Sequence, residues 1–177
     1  MDRDRWLRHH LVGVLRGGNA HLPFTEAVAE FPAAQINTRP PQVDYTFWHL
    51  LEHLRITQAD ILAYLTQADY HAPAWPRDYW PAQHTRATKH EWDESVGAFQ
   101  RDLGAIISIA ADDGTDLFGS VPSNAEHTVL REVLIVADHN AYHIGELGTL
   151  RQVTGLEHAA QRRVNGRSST PQPPPVS

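Results

Sequence analysis

Two pairs of histidines, each four residues apart, are the side chains best placed for chemistry. One is His139 and His143, in the run His139-Asn-Ala-Tyr-His143; the other is His49 and His53, in His49-Leu-Leu-Glu-His53. On a helix this spacing sets both imidazoles on one face, one turn apart, close enough to grip a single metal ion. With 12 His in 177 residues, chance placement gives roughly one such pair, so two are a weak excess and spacing alone decides nothing. Placement says more. His139 and His143 fall within a proline-free, largely apolar stretch from Val129 to Val153. A titratable group there is costly unless it is compensated, either by coordination or by hydrogen bonds in the core.

Other residues could join them. Glu146 follows His143 by three positions and shares its face. It could accept a histidine N–H and fix the tautomer, act as a general base, ligate, or simply face solvent. Asp60, two turns beyond His53, carries the same ambiguity, and Asp138 is rotated away from His139. His21 follows a Gly-Gly turn and reads as structural or pocket-lining. The segment Trp75-Pro-Arg-Asp-Tyr-Trp-Pro81 holds three large aromatics between prolines, which suggests packing across a bundle end or the wall of a pocket. The metalloprotease pattern HExxH is absent, because Asn140 stands where its glutamate would be.

These side chains need long helices to position them, and the sequence offers four. The first covers residues 2–16 and ends at Gly17-Gly18. A short helix at 25–31, with Thr25 as its N-cap, leads into a proline-bearing extended connector at 32–44. The second long helix covers 45–67, with Phe47, Leu50, Leu54, Ile61 and Leu65 on its buried stripe. The third covers 89–111. The fourth covers 128–154, with one stripe at Leu130, Leu134, Ala137, Ala141, Ile144 and Gly148. Its opposite face carries Glu132, Ile135, His139, His143, Glu146 and Leu150. The small residues Ala137, Ala141, Gly145 and Gly148 permit close approach of another helix, from the same bundle or from a second subunit. No strand is expected. The fold class is therefore all-α, a four-helix bundle, whose core is a usual place for metal sites built from facing helices.

Composition narrows the classes. One domain is expected, spanning residues 1–167, with a disordered Ser/Pro-rich tail at 168–177. A formal net charge of -6 argues against a general nucleic-acid binder, which needs a basic surface. No cysteine is present, so disulfides, thiolate-held zinc and cysteine nucleophiles are excluded. No apolar run reaches membrane-spanning length and the charged start lacks a signal core, so a cytoplasmic, membrane-free protein is the expectation.

Several motifs together resemble the DinB/YfiT family of bundle proteins. They are Leu50-Leu-Glu-His53, the pattern His139-x-x-x-His143-x-Gly-Glu146, and the trailing Leu150-Arg-x-x-x-Gly155. Gly17-Gly18-Asn-Ala-His21, the 75–81 loop and the whole run from Leu130 to His143 extend the likeness over most of the chain. The resemblance implies a four-helix bundle, commonly dimeric, holding a divalent metal on three histidines, here His53, His139 and His143. Zinc or nickel suits such imidazole ligands. Family members of known chemistry include transferases and isomerases whose metal activates the thiol of a low-molecular-weight cofactor; metal-assisted hydrolysis and a non-catalytic, stress-related metal site are the other readings. Small-molecule partners and a homodimer are implied, without nucleic acid. Two departures from the family pattern stand out: Glu146 replaces the glutamine of many relatives, and His49 adds a competing ligand.

Overall fold

Threonine side chains start three of the four long helices. In the computed structural model, which describes residues 2–156, Thr46, Thr88 and Thr128 each accept the backbone N–H three residues on, at 3.2 Å. Such caps satisfy donors that a helix end otherwise leaves bare. The helices are α1 (Arg3–Arg16), α2 (Phe24–Val28), α3 (Phe47–Thr66), α4 (Lys89–Ala111) and α5 (Val129–Val153), with a 3-10 turn at Ala33–Gln35. α1 stops at Gly17, whose φ of 71 suits glycine.

Helices α1, α3, α4 and α5 form the bundle. α3 packs on α4 and α5, α1 packs on the same two, and α1 lies diagonally across from α3. Two apolar layers hold them together. One gathers Leu50, Leu51 and Leu54 of α3, Trp92 and Phe99 of α4 and Ile144, Leu147 and Leu150 of α5, closed by Phe24 and Phe31. The other gathers Leu11 and Leu15 of α1, Ile61 and Leu65, Ile106 and Ala110, and Val133 and Val136. The first halves of α3 and α4 thus share a layer with the second half of α5. α3 and α4 therefore run alongside each other in the same direction, with α5 opposed. Joining two parallel helices demands the long connection 67–88. Each fully buried leucine contributes about 1.5–3 kcal/mol.

Three expectations need correction. The short helix starts one residue earlier than expected, and Thr25 is not its cap; Pro23 holds that position without a side-chain bond. A two-stranded antiparallel hairpin, β1 (Ser120–Val121) and β2 (Asn124–Thr128), closes the α4–α5 connection where no strand was expected. The stripe of α5 is also only partly as expected: Ala137, Ile144 and Gly148 are buried, but Leu134 is not. Val133, Val136, Asn140 and Leu147 are buried as well, whereas Leu134 is 49% exposed. Leu134 lines a groove of about 350 Å³ with Gly13 and Val14 of α1 and with Gly17 and Ala20 beyond its end, where no large side chain covers it. Gly148 does meet a close neighbour, Leu22, but a side chain at Gly145 would meet nothing. The tail expected at 168–177 and the domain end at 167 lie outside the described residues. Among the described residues, no helix is long and apolar enough to cross a membrane.

Candidate metal centre

His53 comes from the middle of α3, and His139 and His143 from facing turns of α5. The bundle brings them together: one ligand atom from each lies within 4.8 Å of the others, and no other such group of His, Cys, Asp or Glu occurs among the described residues. Beneath them, a buried amide chain sets the register of the helices. Asn140 Nδ2 donates to Gln58 Oε1 at 2.8 Å, and Gln58 Nε2 donates to the Phe99 carbonyl at 2.7 Å.

Hydrogen bonds fix which nitrogen two of the three rings can offer. His53 Nδ1 donates to the Tyr79 carbonyl at 2.8 Å, leaving the Nε2 lone pair free. His143 Nδ1 donates to Glu146 Oε2 at 2.7 Å, with the same result. His139 Nε2 lies 3.2 Å from His53 Nε2. Two nitrogens on a tetrahedral zinc, each at about 2.0–2.1 Å, lie about 3.3 Å apart, so the spacing suits a shared ion. An N–H···N hydrogen bond would also give that distance. It would not, however, require the third imidazole, whose ring centroid is 4.6 Å from His139 and 4.8 Å from His53.

The electrostatics suit ligation as well. Burial, then the neighbouring imidazoles of His143 and His53, push His139 down to about 4. Burial likewise lowers His53. Both rings are therefore neutral near pH 7, the form that offers a lone pair. Burial works to raise the Glu146 carboxyl, but its bonds with His143 and Tyr45 outweigh that and hold it below its ordinary value. Tyr45 donates its hydroxyl to Glu146 Oε1 and is itself raised by burial and by that carboxylate. Tyr45, Glu146 and His143 thus form one hydrogen-bonded line ending at the cluster.

The remaining sequence candidates separate cleanly. His49 is not part of the cluster. Its Nδ1 accepts the Thr46 backbone N–H at 3.2 Å, completing the cap of α3, and its Nε2 donates to the Thr85 carbonyl at 3.1 Å. Both nitrogens are spent. Glu146 contacts a cluster histidine without belonging to the group itself. His21 bonds the neighbouring Leu22 carbonyl, and Asp138 is exposed. Of the loop aromatics, Trp75 is 72% exposed. Trp80 lies flat on His53, ring centroids 3.9 Å apart and 7° from parallel. Sequence reasoning missed Tyr45, which lies 101 residues from Glu146.

The matched family decides the wider placement. The DinB superfamily model matches residues 23–147. This chain belongs to the DinB superfamily. The matched span contains all three clustered histidines and Glu146, so in this DinB-superfamily chain the cluster lies within the family's own part of the bundle. No curated protein and no solved structure matches the chain.

Proposed function

We propose that this DinB-superfamily protein binds one divalent metal ion, zinc or nickel, on His53, His139 and His143, and uses it in enzymatic chemistry on a small thiol. The observation that carries the reading is the convergence of three imidazoles, two of them with Nδ1 committed elsewhere. Three neutral ligands leave a bound divalent ion its full positive charge and an open position, where a water or thiol becomes a nucleophile near neutral pH.

This chain's own residues supply orientation. Glu146, with both oxygens engaged, keeps the proton on His143 Nδ1 and the lone pair on Nε2. Its part in the reaction is to hold that proton and the tilt of the His143 ring, while the Tyr45 hydroxyl holds the carboxylate in place. Trp80 shields one face of His53 from water. Trp80 and Tyr45 also wall a cavity of about 230 Å³ with Asp44, His49, Pro81 and Gln83; none of the three histidines lines it, so it would take a part of the substrate away from the metal. Transfer of the thiol to an electrophile is the favoured reaction, with hydrolysis second. Homodimerisation, which the family resemblance implies, belongs to the same proposal. The apolar groove holding Val14 and Leu134 is the face offered to the second copy.

The test is cobalt-substituted protein titrated with a small thiol. A sulfur-to-cobalt charge-transfer band is unambiguous here, because the chain has no cysteine. The band is expected to saturate at one thiol per chain. Its absence with several thiols, while cobalt remains bound, would favour the non-catalytic, structural or sensory metal site instead.

A further inference from the structure

Asp60 and His53 share a face of α3, two turns apart. Nothing brings Asp60 to the cluster directly. Its carboxylate instead receives two phenols from the connection that follows α3: Tyr70 Oη donates to Oδ1 at 2.7 Å, and Tyr79 Oη donates to Oδ2 at 2.7 Å. Tyr79 therefore has two attachments. Its hydroxyl is anchored on Asp60, and its carbonyl receives His53 Nδ1–H at 2.8 Å. The next residue, Trp80, stacks on the same imidazole. Among the described residues, the hydrogen bonds and ring contacts that reach the His53 ring from outside the cluster, the weak approach of Thr57 at 3.5 Å aside, thus come from residues 79 and 80.

The turn that carries them is stiff. Asp78 N–H donates to the Ala74 carbonyl at 2.9 Å, Tyr79 N–H to the Pro76 carbonyl at 3.2 Å, and Ala74 N–H to Asp78 Oδ2 at 2.9 Å. A stiff turn moves as a body, so its anchor on the bundle decides where the Tyr79 carbonyl points. A carboxylate is the suitable anchor, being an acceptor with two oxygens for two hydroxyl donors. Second-layer carboxylates commonly bond a ligating histidine directly. Here the carboxylate acts one residue removed, through the phenol and backbone of Tyr79.

We propose that Asp60 is a positioning residue for the metal centre, holding His53 in its ligating orientation through Tyr79 and Trp80. The inference rests on the metal-binding reading above. It assigns the α3–α4 connection the task of aiming the single ligand that α3 contributes.

Zinc affinity measured by competition with a chromophoric chelator tests it, using wild type, Asp60→Leu, Tyr79→Phe and Tyr70→Phe. Asp60→Leu is expected to bind one ion roughly 10–100-fold more weakly, and Tyr79→Phe roughly tenfold more weakly. Tyr70→Phe removes an equal hydroxyl from Asp60 but leaves the link to His53, so its affinity stays within about twofold of wild type. A role in general stability alone would lower the melting temperatures of both tyrosine variants and leave the affinity of the folded proteins unchanged. Tyr79→Phe is the decisive variant should Asp60→Leu fail to fold. Wild-type affinity in Tyr79→Phe, or equal losses in the two tyrosine variants, overturns the inference and leaves the metal site standing. Failure of the wild type to take up zinc overturns both.

Discussion

The amide chain beneath the histidines should be among the most sensitive points of the fold. Gln58 is 1% exposed and Asn140 3%, and one bond of 2.8 Å joins them across α3 and α5. Replacing Gln58 by leucine removes that bond and the one to the Phe99 carbonyl, and strands the Asn140 amide in an apolar layer. A lost hydrogen bond costs about 1 kcal/mol and a stranded buried donor about 1–3 kcal/mol. The Phe99 carbonyl lies within α4 and belongs to its helical hydrogen-bond ladder, so it adds little. The single variant is therefore expected to lose about 2–4 kcal/mol, and Asn140→Leu a similar amount. Replacing both partners strands neither, so the double variant should lose less than the sum of the singles by at least about 1 kcal/mol. Urea unfolding of metal-free protein measures all three. At about 2–4 °C per kcal/mol for a chain of this size, the single variants should also melt visibly earlier. Single losses below about 0.5 kcal/mol, or strict additivity, would refute the reasoning and mean that the pair is not the cross-link it looks to be.

Other consequences follow from the same contacts. In metal-free protein, His139 titrates near 4 folded and at 6.5 as its reference. Below pH 6.5 the unfolded chain thus takes a proton that the folded chain refuses. Stability should be level above that pH and fall between about 6.5 and 4, by up to about 3 kcal/mol before solvent screening of this half-buried ring reduces it; an acid titration of urea midpoints checks the window. His49→Ala should lower stability by about 1 kcal/mol through the lost cap, yet keep one metal ion per chain in a binding titration. On the proposed homodimer, wild type should sediment as a dimer and Leu134→Glu as a monomer with unchanged metal content; a monomeric wild type would overturn that part of the proposal.

The bundle was legible because its signals are local and repeated. The stripe of Phe47, Leu50, Leu54, Ile61 and Leu65 is buried as its spacing requires, and α4 occupies Lys89–Ala111 as expected. The exposure of Leu134 on α5 was not legible. Apolar residues surround that helix, and which of them face the groove beside α1 depends on how the two helices pack. The hairpin escaped because its first strand has two residues; Pro122-Ser123 between the strands was the one turn signal available. At the site, the three histidines follow from motif and helix, and His49 could have been excluded in advance. Thr46-x-x-His49 occupies the capping-box positions with histidine in place of glutamate. Tyr45, and the path from Asp60 through Tyr79 to His53, depend on how a long connection folds back, and no spacing along the chain encodes that.

Metal content tests the central claim most directly. Protein purified without chelator or a histidine-tag column, wild type beside the His139→Ala, His143→Ala double variant, is analysed for transition metals and for uptake of added zinc or nickel. About one ion per chain in the wild type, lost in the variant while its helical circular dichroism persists, is the predicted result. No metal and no uptake in the wild type, or equal binding in both proteins, would contradict it and leave His53, His139 and His143 as hydrogen-bonded core residues of the bundle.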